Sequence, residues 1–279
     1  MRSALVVEGG AMRGVFASGV LDAFINANYY PYDLAIGVSA GAPNLVGYLA
    51  RQAERSYKVI LELATDKRFY SPQRFLRGGD LIDVKWLITE AQQRYPLDTT
   101  HLFNSIPMLA VTTNIDTGDA DYYQVNEQNL ANVLEASCAL PIAYRHTPTF
   151  SGGSYTDGGV ADSIPVKEAY RRGARDITVV LSHPLNYQMP EYRHHWLTNT
   201  LLARQPRVAQ AMRSRAKRYN DAIAFINQPP ADTTMRVIAP PVGFHVRRLT
   251  MNPERLQHGY QIGRDAGATH LDHMTYSER

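Results

Sequence analysis

The chain has 279 residues, 44% of them hydrophobic and 20% charged, with a net charge of +3. That composition excludes collagen-like, low-complexity and disordered classes, and the mild positive charge names no nucleic-acid partner. A single cysteine, Cys138, excludes an internal disulfide. The apolar run Ala4 to Val7 before Glu8 is far shorter than the roughly 7–15 residues of a signal-peptide core. No run approaches the roughly 18 apolar residues of a membrane span. The expectation is a cytoplasmic protein whose membrane contact, if any, is peripheral.

In chain order, Ala4–Val7 reads as a short buried strand ending at Glu8-Gly9-Gly10, and Gly14–Ile25 carries apolar residues at helical spacing. The unit repeats: Leu34–Val38 is a second apolar run, followed by Ser39-Ala40-Gly41 and a helical stretch toward Arg51. Residues 66–100 mix aromatics and charges, with a helix at Leu81–Arg94, and form the best candidate for a cap over a site. Met108–Thr113 and Ala120–Val125 read as strands joined by the turn Asp116-Thr117-Gly118. A helix follows over about Glu127–Ser137, then Asp157-Gly158-Gly159, a helix after Pro165 and a strand at Ile177–Leu181. Trp196–Ile226 has helical spacing interrupted at Pro206; a last strand, Met235–Ile238, precedes a helix opened by Asn252-Pro253. Alternation of this kind predicts an α/β fold with a mainly parallel sheet and helices on both faces. No Pro/Ser/Gly linker marks a boundary, so residues 1–279 read as one domain.

Gly37-Val38-Ser39-Ala40-Gly41 fits G-x-S-x-G and lies between a strand and a helix, where that motif exposes a serine hydroxyl above the sheet edge. Small flanking residues let the backbone turn tightly. The competing reading is a chance match in a chain with 19 glycines. Glu8-Gly9-Gly10-Ala11-Met12-Arg13-Gly14 joins the first strand to the first helix, where successive amides can converge on an anion. As an oxyanion hole it would stabilise the negative oxygen of a tetrahedral acyl intermediate. Both nucleotide patterns fail here, since Ala11 stands where G-x-G-x-x-G needs glycine, and Val15 and Phe16 where a P-loop needs Lys and Ser/Thr. A plain turn, with Arg13 a local ion-pair residue, is the alternative.

A serine nucleophile needs a base. Asp157, freed by the two glycines after it, and His183, just past the strand Ile177–Leu181 in the usual Ser-Asp-His order, compete for that role. Each also reads as ordinary loop chemistry. His194, His195, His245, His270 and His273 show no metal-ligand spacing.

Taken together, Gly9–Gly14, Gly37–Gly41 and Asp157-Gly158-Gly159 resemble the three ordered motifs of patatin-like phospholipases, and Ala136-Ser137-Cys138-Ala139-Leu140-Pro141 is similar to the family's Ala-Ser-x-Ala-x-Pro stretch. The resemblance spans about residues 4–182; residues 183–279 form a C-terminal extension it does not cover. It implies a three-layer α/β sandwich and a Ser39–Asp157 dyad without histidine. It further implies an oxyanion loop at Gly9, Gly10, Ala11, Arg13 and Gly14, and hydrolysis of lipid acyl esters with neither metal nor organic cofactor. Ala11 departs from the family, which commonly has a third glycine there.

From Tyr192 to Asn220 there is no acidic residue, while Arg193, Arg204, Arg207, Arg213, Arg215, Lys217 and Arg218 are basic. One reading is docking on anionic phospholipid, at about 1 kcal/mol per well-placed group. The other is a solvated helix face with Val208, Met212, Tyr219 and Ile223 packed inward.

Overall fold

The computed structural model describes residues 2–191 and 195–277. The first half runs β1 (Arg2–Val7), α1 (Gly14–Asn26), β2 (Leu34–Val38), α2 (Gly41–Leu49), α3 (Arg55–Lys58), α4 (Pro72–Leu76), α5 (Val84–Arg94) and α6 (Thr99–Phe103). Then come β3 (Met108–Asn114), β4 (Ala120–Gln124), α7 (Leu130–Cys138), β5 (Thr149–Phe150), β6 (Gly153–Asp157), α8 (Val166–Arg171) and β7 (Ala174–Val180). The chain closes with α9 (His195–Leu201), α10 (Pro206–Asn227), β8 (Thr234–Ile238) and α11 (Pro253–Ser277).

The strands form one sheet in the order β5-β6-β3-β2-β1-β7-β8, with β4 also on β3. Pairings β1–β2, β1–β7, β2–β3 and β7–β8 are parallel, while β4, β5 and β6 pair antiparallel, so the sheet is mainly parallel as its alternating pattern requires. Residues Ala4 to Val7 of the central β1 are all buried, the near-continuous apolar run expected of a strand covered on both faces. Leu5 and Val7 point into a core with Phe16, Val20 and Phe24 of α1 and Leu45 and Leu49 of α2. Ala4 and Val6 point into the opposite core with Val166 and Ala169 of α8 and Tyr219 and Ile223 of α10. Alternate residues of one strand thus hold two helical layers to one sheet.

The C-terminal extension belongs to these layers. β8 adds to β7 at the sheet edge, and α11 lies across α1 so closely that a methyl on Gly263 would stand 2.1 Å from the Phe16 carbonyl oxygen. Helix starts are set by caps. Asp83 accepts from the Trp86 amide, so the helix read from Leu81 begins at Val84. Asn126 accepts from the amides of Gln128 and Asn129, a local turn that delays the helix read from Glu127 until Leu130. Asn252 accepts from the Arg255 amide and opens α11 as expected. Among the described residues no helix is long and apolar enough to cross a membrane.

Candidate active site

β2 ends at Val38, and Ser39 takes φ 50°, a left-handed conformation that turns the chain sharply into α2. The turn needs Gly41, where a Cβ would lie 2.4 Å from the Val7 carbonyl oxygen at the end of the neighbouring strand. Gly37 likewise faces the backbone of Ala42. The Ser39 amide donates to the Ser137 hydroxyl at 2.9 Å, so the Ala-Ser stretch at the end of α7 anchors the bend.

Sheet register brings Asp157 to Ser39. On one edge of β3, β2 pairs residues 108–111, ending with Val38 opposite Val111; β6 takes up the same edge at the next position, with Asp157 opposite Thr112. The other edge is filled by β4, which pairs both Val111 and Thr112. The two strands meet head-on, and the residue after Val38 lies beside Asp157. The Ser39 hydroxyl donates to Asp157 Oδ2 at 2.6 Å, while the Gly159 amide donates to Oδ1 at 2.8 Å. The Thr113 hydroxyl donates to the Asp157 carbonyl. Gly158 lies against the Val111 carbonyl with no room for a Cβ. Burial pushes the Asp157 carboxyl above its ordinary value, opposed by the bonds from Ser39 and Gly159 and by the charges of Arg215 and Arg248.

The glycine loop lies on the other side of the serine. Gly9 approaches so closely that an added Cβ would be 2.8 Å from the Ser39 Cβ, and Gly14 packs on Ala40, with the Asn44 side-chain amide donating to the Gly14 carbonyl. Ala11 has φ 50°, so the departure from glycine falls on a residue whose conformation glycine favours. The loop is pinned on both sides of Ala11: the Met12 amide donates to the Arg248 carbonyl and the Arg13 amide to the Gly10 carbonyl. No acceptor among the described residues takes the amides of Gly10 or Ala11, and Ala11 shares the wall of one cavity with Ser39. Arg13 turns away, donating through Nε to the Val246 carbonyl and bonding His183 Nε2 through its guanidinium.

His183 is therefore placed differently from the triad reading. Its Nε2 meets Arg13, and its Nδ1 faces Ser182, Tyr219 and, at 3.4 Å, Glu8; the ring stacks on Tyr187. Both ring nitrogens are engaged in this buried cluster behind the loop, so of the two candidate bases it is Asp157 that meets the Ser39 hydroxyl, with the Cys138 thiol beside it. Glu8 accepts from the Ser182 amide and ties the loop to the end of β7. His194 lies outside the described residues, and among those residues no group of His, Cys, Asp or Glu is arranged to hold a metal.

A cavity of about 610 Å³ opens beside Ser39 and Ala11. Its walls are mostly apolar, with Met12, Ile60, Leu87, Ile88, Leu130 and Leu134 among them; Leu87 and Ile88 come from the 66–100 segment read as a cap. Arg248 stands in the same wall. The sequence reading missed Arg248, which lies in a stretch without periodicity, and misplaced Arg215. Within the basic segment, Arg193 lies outside the described residues. Val208, Tyr219 and Ile223 face inward as expected, with Met212 half-buried. Arg215 donates through Nε to the Gly159 carbonyl, and Arg218 to the Val160 and Ala211 carbonyls. Burial and the like charge of Arg248 hold Arg215 down to about 10. These two cations therefore brace the turn after Asp157 instead of facing solvent.

Residues 5–170 match the family model of the patatin-like phospholipases, and residues 205–276 match that of a domain of unknown function (DUF6363). The chain is 37% identical over 274 residues to the uncharacterised protein YjjU of Escherichia coli (strain K12), covering 95% of this chain and 76% of that one. Its fold is similar to the crystal structure of VipD from Legionella pneumophila, with a TM-score of 0.52 at 14% identity over 97% of this chain and 66% of that one. With the mainly parallel sheet between two helical layers and the serine bend between β2 and α2, the family match establishes that the chain belongs to the patatin-like phospholipases.

Proposed function

We propose that this protein is a serine acyl hydrolase of the phospholipase A or lipid-esterase type, with Ser39 as nucleophile and Asp157 as general base. The observation that carries the reading is the 2.6 Å bond from the Ser39 hydroxyl to Asp157 Oδ2, in the wall of a mostly apolar cavity that Ala11 of the glycine loop also lines. Asp157 accepts the hydroxyl proton as Ser39 Oγ attacks the ester carbonyl, and the amides of Gly10 and Ala11 receive the negative oxygen. Asp157 then returns the proton to the leaving alcohol. A water, deprotonated by Asp157, attacks the acyl-enzyme; the Ser39–acyl bond breaks, giving the free acid and restoring the hydroxyl. With no imidazole between them, the aspartate itself moves the proton, and the burial that raises its pKa makes it a better acceptor at neutral pH. The route calls for neither metal nor organic cofactor.

The test is mass analysis of intact protein and peptides after a fluorophosphonate probe. An adduct on Ser39 that is lost in Asp157→Asn is expected; folded protein that stays unlabelled refutes the reading and favours a non-catalytic anion-binding module. Peripheral contact with anionic membrane is a further part of the proposal, resting on the basic residues of α10 that stay outward, such as Arg207 and Lys217. Co-sedimentation with anionic liposomes that ignores salt and charge reversal at these positions would remove it.

A further inference from the structure

Arg215 and Arg248 act on the dyad aspartate and Arg13 belongs to the glycine loop, and the surroundings of the three differ. Arg13 has the Val246 carbonyl and His183 as partners, and Arg215 has the Gly159 carbonyl. Arg248 uses its main-chain carbonyl to hold the Met12 amide, but among the described residues no carboxylate or carbonyl meets its guanidinium, which is exposed in the wall of an otherwise mainly apolar cavity. The nearby acids are committed elsewhere: Glu8 to the Ser182 amide and His183, Asp157 to Ser39 and Gly159. Arg248 lies close enough to weaken the protonation of both Arg13 and Arg215, so like charge crowds the site and an anion would relieve it. The guanidinium fork matches the oxygens of a phosphate, the anion that phospholipids carry close to their acyl esters.

We propose that Arg248 is the residue that selects phosphate-bearing substrates, taking the phosphate of an ester whose acyl chain fills the cavity and whose carbonyl stands at Ser39. The proposal rests on the acyl-hydrolase reading for the position of the chain, and it deepens that reading by naming the headgroup chemistry. Arg248 lies beyond the residues matched by the patatin-like model and within the C-terminal match. Headgroup choice therefore comes from the extension, while the nucleophile and base come from the core.

The experiment measures binding in the Ser39→Ala background, where no turnover intervenes, by calorimetry with lauroyl lysophosphatidic acid, monolauroylglycerol and inorganic phosphate, the lipids kept below micelle formation. Arg248→Gln is expected to lower the preference for the phosphate lipid over the neutral one at least tenfold, with partial recovery in Arg248→Lys, which keeps the charge and loses the fork. Equal weakening of both lipids would overturn the proposal, since it would mark Arg248 as a prop for the loop. An unchanged preference, or inorganic phosphate binding as tightly as the phosphate lipid, would overturn it equally. Fluorophosphonate labelling of the unsubstituted protein reads the hydrolase chemistry separately, so an unreactive Ser39 with an intact phosphate preference would remove the enzyme and leave the subsite standing.

Discussion

Ala11→Gly isolates the backbone strain at the candidate oxyanion loop. Ala11 holds φ 50°, a conformation that costs an L-residue roughly 1–2 kcal/mol. Its methyl is half-buried in the cavity wall, so its removal sacrifices little packing. Against the relieved strain stands the extra freedom glycine brings to the unfolded chain, about 0.5–1 kcal/mol. The difference is a net stabilisation of about 0.5–1 kcal/mol, or roughly 1–3 °C in Tm for a chain of this size. Because the Met12 and Arg13 amides remain bonded to the Arg248 and Gly10 carbonyls, the direction of the neighbouring amides is held from both sides. The value of kcat/KM toward a short-chain ester is expected to stay within about fivefold, under 1 kcal/mol of transition-state binding. The assay pairs thermal unfolding with initial rates. A fall in Tm of several degrees would show that the methyl contributes packing outweighing the strain, and the account of this loop would be wrong.

Gly41→Ala should act in the opposite direction: its Cβ would press on the Val7 carbonyl oxygen at 2.4 Å and on that of Glu8 at 2.8 Å. A loss of about 2–3 kcal/mol is expected, with slower labelling of Ser39, and denaturant titration checks it. Asp157 must be ionised to act as base, so kcat/KM should fall with decreasing pH through an apparent pKa above the ordinary carboxylate value; a profile flat down to pH 4 would contradict the role assigned to it. The same shift has a stability sign. A carboxyl with a raised folded pKa incurs no penalty below its unfolded pKa and the full penalty above its folded one, so Asp157→Asn should be more stable than the parent at pH 7, with the gain vanishing under acid conditions. Asp22 offers a case remote from the chemistry. Desolvation raises it to about 6 despite the hydroxyl bond from Tyr260. Asp22→Asn should therefore match the parent near pH 4 and exceed it at pH 8 by at most about 3 kcal/mol; equal melting curves across that range would rule out the raised value.

What could be read from the sequence was local in character. Ser39 and Gly41 were legible because a strand-to-helix bend leaves its requirement for small residues within five positions, and β1 because a strand buried on both faces is apolar throughout. Asp157 was legible only as a carboxylate before two glycines. Its pairing with Ser39 depends on β2 and β6 sharing one edge of β3, and no local pattern records which edge a strand will take. Arg215 and Arg218 looked like solvent charges because a basic helix face and an inward brace have the same composition. The difference lies in the Gly159 and Val160 carbonyls that receive them, and a carbonyl carries no residue signature. His183 had the right order for a triad, but Arg13 and Glu8, both from the N-terminal loop, occupy its ring nitrogens.

The head-on meeting of β2 and β6 also fixes when the site can exist during folding. Ser39 and Asp157 are 118 residues apart, and neither strand reaches the other except along β3, so the loop between them closes only after that strand has been inserted. Non-local closure of this kind comes late, once enough of the sheet has formed to compensate its entropy. A growing chain that has released only the serine bend has a hydroxyl with no base beside it. Reactivity toward an ester would thus be switched on at the end of folding, and the appearance of Ser39 labelling during refolding would time the completion of the sheet.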